Sequence, residues 1–127
     1  MARILKKGAG WRLGWNPDPT CAFQGLVGAD DWAVELTAAE FQDFCRLLVQ
    51  LSETVESIAS ELMAEERISI EAESELIWLE IEGFPDSYSL RMLVLNNRNA
   101  EGNWSAHIVS ELVVIAQSFQ KIGEFTI

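Results

Sequence analysis

The chain has 127 residues, 9 of them Lys or Arg against 20 Asp or Glu, giving a formal net charge of −11, and 49% are hydrophobic, with five tryptophans. That length fits one domain, residues 1–127, with a core that needs no metal or disulfide support, and the apolar content excludes disorder despite the charge. A field of this sign disfavours phosphate backbones and favours basic partners, although acidic excess also simply maintains solubility.

Strand signals come first. Residues 11–15, 21–27 and 32–36 read as strands separated by Asn16-Pro17-Asp18-Pro19 and Gly28-Ala29-Asp30-Asp31, both good turn compositions. Whether residues 3–6 add a fourth strand is left open. Thr37, Ala38, Ala39 and Glu40 then have capping-box spacing, which fixes the start of a helix. Phe41, Phe44, Leu48, Leu51, Val55, Ile58 and Leu62 follow at steps of three and four, so the helix is predicted over residues 37–64, about 40 Å at ~1.5 Å per residue. A stripe of that length needs an apolar partner, which makes the helix a core element.

A second strand group follows. With a turn at Ser74-Glu75, Ile70 faces Leu79, Ile68 faces Ile81 and Ala72 faces Ile77; with a turn at Pro85-Asp86, Leu90 pairs with Ile81, Met92 with Leu79 and Val94 with Ile77. One apolar face results from two independent turns, and a slip of one residue would push glutamates into the core. The other face carries Glu71, Glu73, Glu80 and Glu82 around an apolar island of Trp78, Leu93 and Leu95, with cross-strand pairs expected for Glu80 with Arg91 and Arg67 with Glu82. Residues 96–103 read as a loop. A second helix starts near Ser105 and runs to about Gln120 with Ile108, Leu112, Ile115 and Phe119 as its stripe, widened by Val109, Val113 and Val114, and it looks more buried than the first. Residues 125–127 are either a tail or a short final strand.

Little in this inventory supports chemistry. His107 has no nucleophile and base arrangement around it, and Ser105 and Ser110 read as a cap and a helix-surface residue. The hairpin carboxylates would project in parallel along flat strands, not around a cation, and no phosphate-loop or dinucleotide glycine spacing occurs. Cys21 and Cys45 are too few and too far apart for a disulfide framework or a zinc site, and Cys45 reads as a reduced, buried thiol. The expectation is therefore a non-enzymatic protein without metal or cofactor. The start of the chain has no apolar run after its basic residues, and no segment approaches the ~20 apolar residues that cross a bilayer, so a cytoplasmic location without membrane association is expected.

Two binding surfaces stand out. The first is the island of Trp78, Leu93 and Leu95 with Glu80 and Arg91, facing a protein partner of basic character; monomer and homodimer both remain open. The alternative is single-stranded nucleic acid held by Arg3, Lys6, Lys7 and Arg12, four of the nine basic residues, beside Trp11 and Trp15.

The passage Asp31 to Phe41, with Glu61 to Glu66 and Glu75 to Glu80, resembles a cyanobacterial and plastid-lineage family called domain of unknown function 1818. The resemblance covers nearly the whole chain and implies no reaction. It implies a fold similar to Whirly proteins and transcriptional positive cofactor four, which are single-stranded-DNA-binding regulators: an α+β arrangement of meandering antiparallel sheets, each followed by a helix, with pseudo-halves of about residues 1–65 and 66–127. Those relatives hold nucleic acid with basic and aromatic side chains on the sheet. Here Trp78 would sit among Glu71, Glu80 and Glu82 with only Arg91 basic, so no nucleic-acid residues are carried over onto that sheet.

Overall fold

A computed structural model describes residues 2–63 and 65–122. Four strands, β1 (Ile4–Gly8), β2 (Trp11–Trp15), β3 (Gly25–Gly28) and β4 (Ala33–Leu36), precede helix α1 (Ala38–Ile58). Four more, β5 (Ile68–Glu73), β6 (Ile77–Phe84), β7 (Ser87–Val94) and β8 (Ala100–Trp104), precede α2 (Ala106–Ile122). Each group is an antiparallel meander in which neighbouring strands pair in chain order. The architecture is thus α+β with a strands-helix-strands-helix pseudo-repeat, and the first strand, left open by the sequence, pairs fully with β2.

Alternation along the strands sends one face of each sheet into a shared apolar cluster. Leu13, Val27 and Leu36 enter it from the first sheet and Ile77, Leu79, Ile81, Leu90 and Met92 from the second, with Phe41, Phe44, Leu48 and Leu51 of α1 and Leu112 and Phe119 of α2 between them. At α1 the capping box forms: the Glu40 amide donates to Thr37 Oγ1 at 3.2 Å and the Thr37 amide to Glu40 Oε1 at 2.8 Å. The helix ends earlier than its apolar stripe. After Ile58 the chain tightens into a 3-10 turn, Ala59–Glu61, and Leu62 is extended and half-buried. Thr54 and Ser57 hydroxyls donate to the carbonyls of Gln50 and Thr54, the kind of side-chain competition that weakens a last helical turn.

Several other expectations change. The third strand shortens to Gly25–Gly28 because the Asn16 to Gln24 segment is a loop, in which amide and hydroxyl hydrogen bonds from Thr20 hold the Asp18 carboxyl below its usual pKa. The β6-β7 register is as predicted, but β5 is shifted by two residues, so that Ile70 faces Ile81, Ala72 faces Leu79 and Glu73 faces Trp78. The cause is a wider turn: Ser74 Oγ accepts from the amides of Leu76 and Ile77 at 3.1 Å each, while the Ser74 amide donates to the Ile77 carbonyl. A shift of two keeps every side chain on its face.

Residues 100–103, expected as loop, form β8 together with Trp104. Its sequence has weak strand propensity, and the strand is held by pairing with β7 and by burial of Trp104, whose Nε1 donates to the Gly28 carbonyl at 2.9 Å. In α2 the buried line is Val109, Leu112, Val113, Ala116 and Phe119; Ile108 and Ile115 are half-buried, Val114 is exposed, and α1 is the more buried helix. Residues 125–127 lie outside the described residues.

Candidate functional site

The outer face of the second sheet is built by the same alternation that fills the core. Reading across β5, β6, β7 and β8, one row is Glu73, Trp78, Leu93 and Glu101, and the next is Glu71, Glu80, Arg91 and Asn103. Trp78 and Leu93 are directly opposite each other and half-buried, so the strand register places an apolar pair between two exposed carboxylates. The Arg91 guanidinium lies 5.6 Å from the Trp78 ring centroid and 3.7 Å from Glu101, leaving Glu80, which it faces in register, without an ion-pair contact among the described residues. The second expected pair forms, with Arg67 at 3.3 Å from Glu82.

That register also sets Glu71 against Glu80. Like charges directly opposite on a sheet destabilise it by roughly 0.2 to 1 kcal/mol. Leu95 continues the face beyond β7, its amide donating to the Leu76 carbonyl at 2.8 Å, and lines a shallow hollow with Asn96, Asn97 and Asn99.

The residues of the nucleic-acid alternative separate. Trp11 and Trp15 point into the core at 3% and 7% exposure, and Trp15 stacks on Phe41 at 5.7 Å, so neither offers a free ring face. Lys6 donates to Ser118 Oγ at 3.1 Å and lies over Phe119, while Arg12 donates to the carbonyls of Ala29 and Trp32 at 2.9 and 3.0 Å. Arg3 and Lys7 are exposed. The row Leu5, Gly14, Leu26 and Glu35 crosses this outer face, with Leu5 59% exposed.

Sequence reasoning missed Arg98. Asn96, Asn97 and Asn99 all adopt positive φ, which asparagine tolerates better than most residues, and this loop carries Arg98 across to the start of α1. There Arg98 Nε lies 3.1 Å from Oε2 of Glu40, which is 4% exposed, in an ion pair whose N–H is not aimed along the contact. Its Nη2 donates to the Glu35 carbonyl, and its guanidinium covers Phe23 at 4.8 Å. No residue spacing signals a contact between loop and helix half a chain apart.

His107 is exposed at the start of α2, and no three His, Cys, Asp or Glu side chains converge as a metal site among the described residues. Cys45 is buried on α1 and its thiol pKa is pushed up by loss of solvation. No helix among the described residues is long and apolar enough to cross a membrane.

These features define an acidic α+β protein of two four-stranded sheets, carrying one aromatic surface among carboxylates. The chain belongs to the family known as domain of unknown function 1818, whose pattern matches residues 6–119. It is similar to a crystal structure of a protein of unknown function from Prochlorococcus sp. NATL2A, described as of the DUF155 family, with 27% identity and a TM-score of 0.84 over 92% of this chain and 98% of that one. No curated protein sequence matches it.

Proposed function

We propose that this protein is a non-enzymatic interaction or regulatory domain that docks a basic partner protein on the outer face of its second sheet. The observation that carries this reading is the row Glu73, Trp78, Leu93 and Glu101, an apolar pair held between carboxylates by strand register. A tryptophan beside an aliphatic side chain supplies the contact area of an interface centre, and the flanking carboxylates would select lysine or arginine on the partner and steer its approach. The facing pair Glu71 and Glu80 fits the same purpose, since surfaces that serve binding are where local rules of sheet stability are broken.

The test is affinity isolation from native extract with the wild-type chain, Trp78→Ala, and the double reversal Glu73→Lys and Glu101→Lys. The reading predicts a discrete basic protein retained by the wild type and depleted about tenfold or more by either change, consistent with loss of an interface anchor. Equal recovery by all three would refute it.

Single-stranded nucleic acid is the second reading, suggested by what the sequence resemblance implies about fold and by exposed Arg3 and Lys7 at the first sheet. Burial of Trp11 and Trp15 removes the stacking surface that such binding uses. Fluorescence titration with short oligonucleotides decides it, because absence of binding even at low salt rules it out.

A further inference from the structure

The geometry points to self-association in which the Trp78 face of one copy docks, head to tail, into a groove on the outer face of the first sheet of a second copy. This rests on the reading of the Trp78 face as a docking surface given above, with a basic patch on a second copy in place of a basic protein. The two sheets occupy corresponding places in the pseudo-repeat, and their outer faces differ in shape and in charge. On the second sheet the central strands present Trp78 and Leu93, a ridge. On the first sheet the central strands present Gly14, set between Leu5 and Leu26, where a Cβ would lie 3.4 Å from Leu5 Cδ1 and 3.6 Å from Leu26 Cβ. A groove of about 590 Å³ opens over this position, lined by Leu5, Leu26 and Phe23. Leu5 and Phe23 are 59% and 37% exposed.

Charge follows the same division. Arg3 lies at the rim of the groove, with Lys7 and Arg12 on the adjoining row of the same face and Glu35 as the carboxylate opposing them. The ridge is flanked by Glu71, Glu73, Glu80, Glu82 and Glu101, against Arg91 and Arg67. Ridge on ridge would set carboxylates against carboxylates, and groove on groove would leave both empty. Ridge in groove alone matches an aromatic knob to an apolar trough and acid to base. The inner face of each sheet faces the common core, so the two outer faces point away from it and cannot satisfy each other within one molecule. A contact between unlike surfaces is heterologous and builds chains or rings, not a closed two-fold dimer. The net charge of −11 opposes association at long range. At physiological ionic strength, however, screening over ~8 Å leaves the facing charges dominant.

The experiment is sedimentation equilibrium over a concentration series at physiological salt, with wild type, Leu5→Glu in the groove, and Trp78→Ala on the ridge. Circular dichroism verifies that each variant folds; Leu5 is mostly exposed, so its replacement spares the core. The wild type is expected to grow beyond a dimer with rising concentration, and each variant to associate about tenfold or more weakly. Mixed in equal amounts, the two variants are expected to form a dimer and stop, because one retains only the ridge and the other only the groove. A wild type that stays monomeric, a mixture that does not pair, or a single variant that dimerises as well as the wild type would overturn the proposal. If the wild type is monomeric while Trp78→Ala still loses a basic partner in affinity isolation, self-association alone fails and the docking role of the face stands.

Discussion

Cys45 is fully buried on α1, and the loss of solvation that pushes its thiol pKa up ties its protonation to folding. The unfolded chain releases this proton near pH ~8.5, whereas the folded chain keeps it. The unfolded state therefore binds fewer protons at alkaline pH, and stability falls as pH rises above that value, by about 1.4 kcal/mol per unit from this group. Urea unfolding between pH 8 and 10.5 is expected to show that slope in the wild type and a shallower one in Cys45→Ala; equal slopes would mean that the buried thiol does not contribute. Glu40 is the second residue whose burial matters. Its carboxylate closes the capping box and is neutralised by Arg98, so Arg98→Ala leaves a charge in the core. Breaking a buried pair costs 3 to 5 kcal/mol, and the partial exposure of Arg98 lowers the expectation to about 2 kcal/mol, read as a drop in unfolding free energy.

The second sheet separates what alternation specifies from what turns specify. Apolar residues recur at every second position so regularly along β5, β6 and β7 that the inward face follows from the sequence alone, and Ile77, Leu79, Ile81 and Met92 are all buried. Alternation constrains register only to even steps, however, and the absolute pairing of β5 was set by the Ser74 hydroxyl, a local contact with no periodic signature. The same limit hid β8, where strand structure depends on a partner strand and on Trp32 packing across Gly102. A Cβ on Gly102 would approach Trp32 Cη2 to 2.1 Å, so Gly102→Ala should lower stability by about 1 to 3 kcal/mol in thermal unfolding, and an unchanged midpoint would mean that this packing is loose. Of the candidate site, Trp78, Leu93 and Arg91 were legible as one face, while the facing of Glu71 with Glu80 needed the actual register. Glu71→Thr should accordingly stabilise the fold by roughly 0.2 to 1 kcal/mol at low salt, less at high salt; destabilisation would show that the facing carboxylates do not repel.

Over the whole molecule, the pseudo-repeat gives two sheets with similar interiors and dissimilar exteriors. Both inner faces and both helices contribute to one apolar cluster, which leaves the outer faces free to differ. One holds Trp78 and Leu93 among carboxylates, and the other holds Leu5 and Leu26 around Gly14 near Arg3 and Lys7. A division of this kind suits a protein that works by contact. The most direct measurement is site-specific photo-crosslinking in cells, with the crosslinking side chain placed at Leu93 and, as an exposed apolar reference on α2, at Val114. Docking on the second sheet predicts discrete adducts from Leu93, to a basic protein or to a second copy of the chain, that disappear when Glu73 and Glu101 are changed to Lys. Adducts from Leu93 no stronger than those from Val114, or indifferent to that charge reversal, would contradict it.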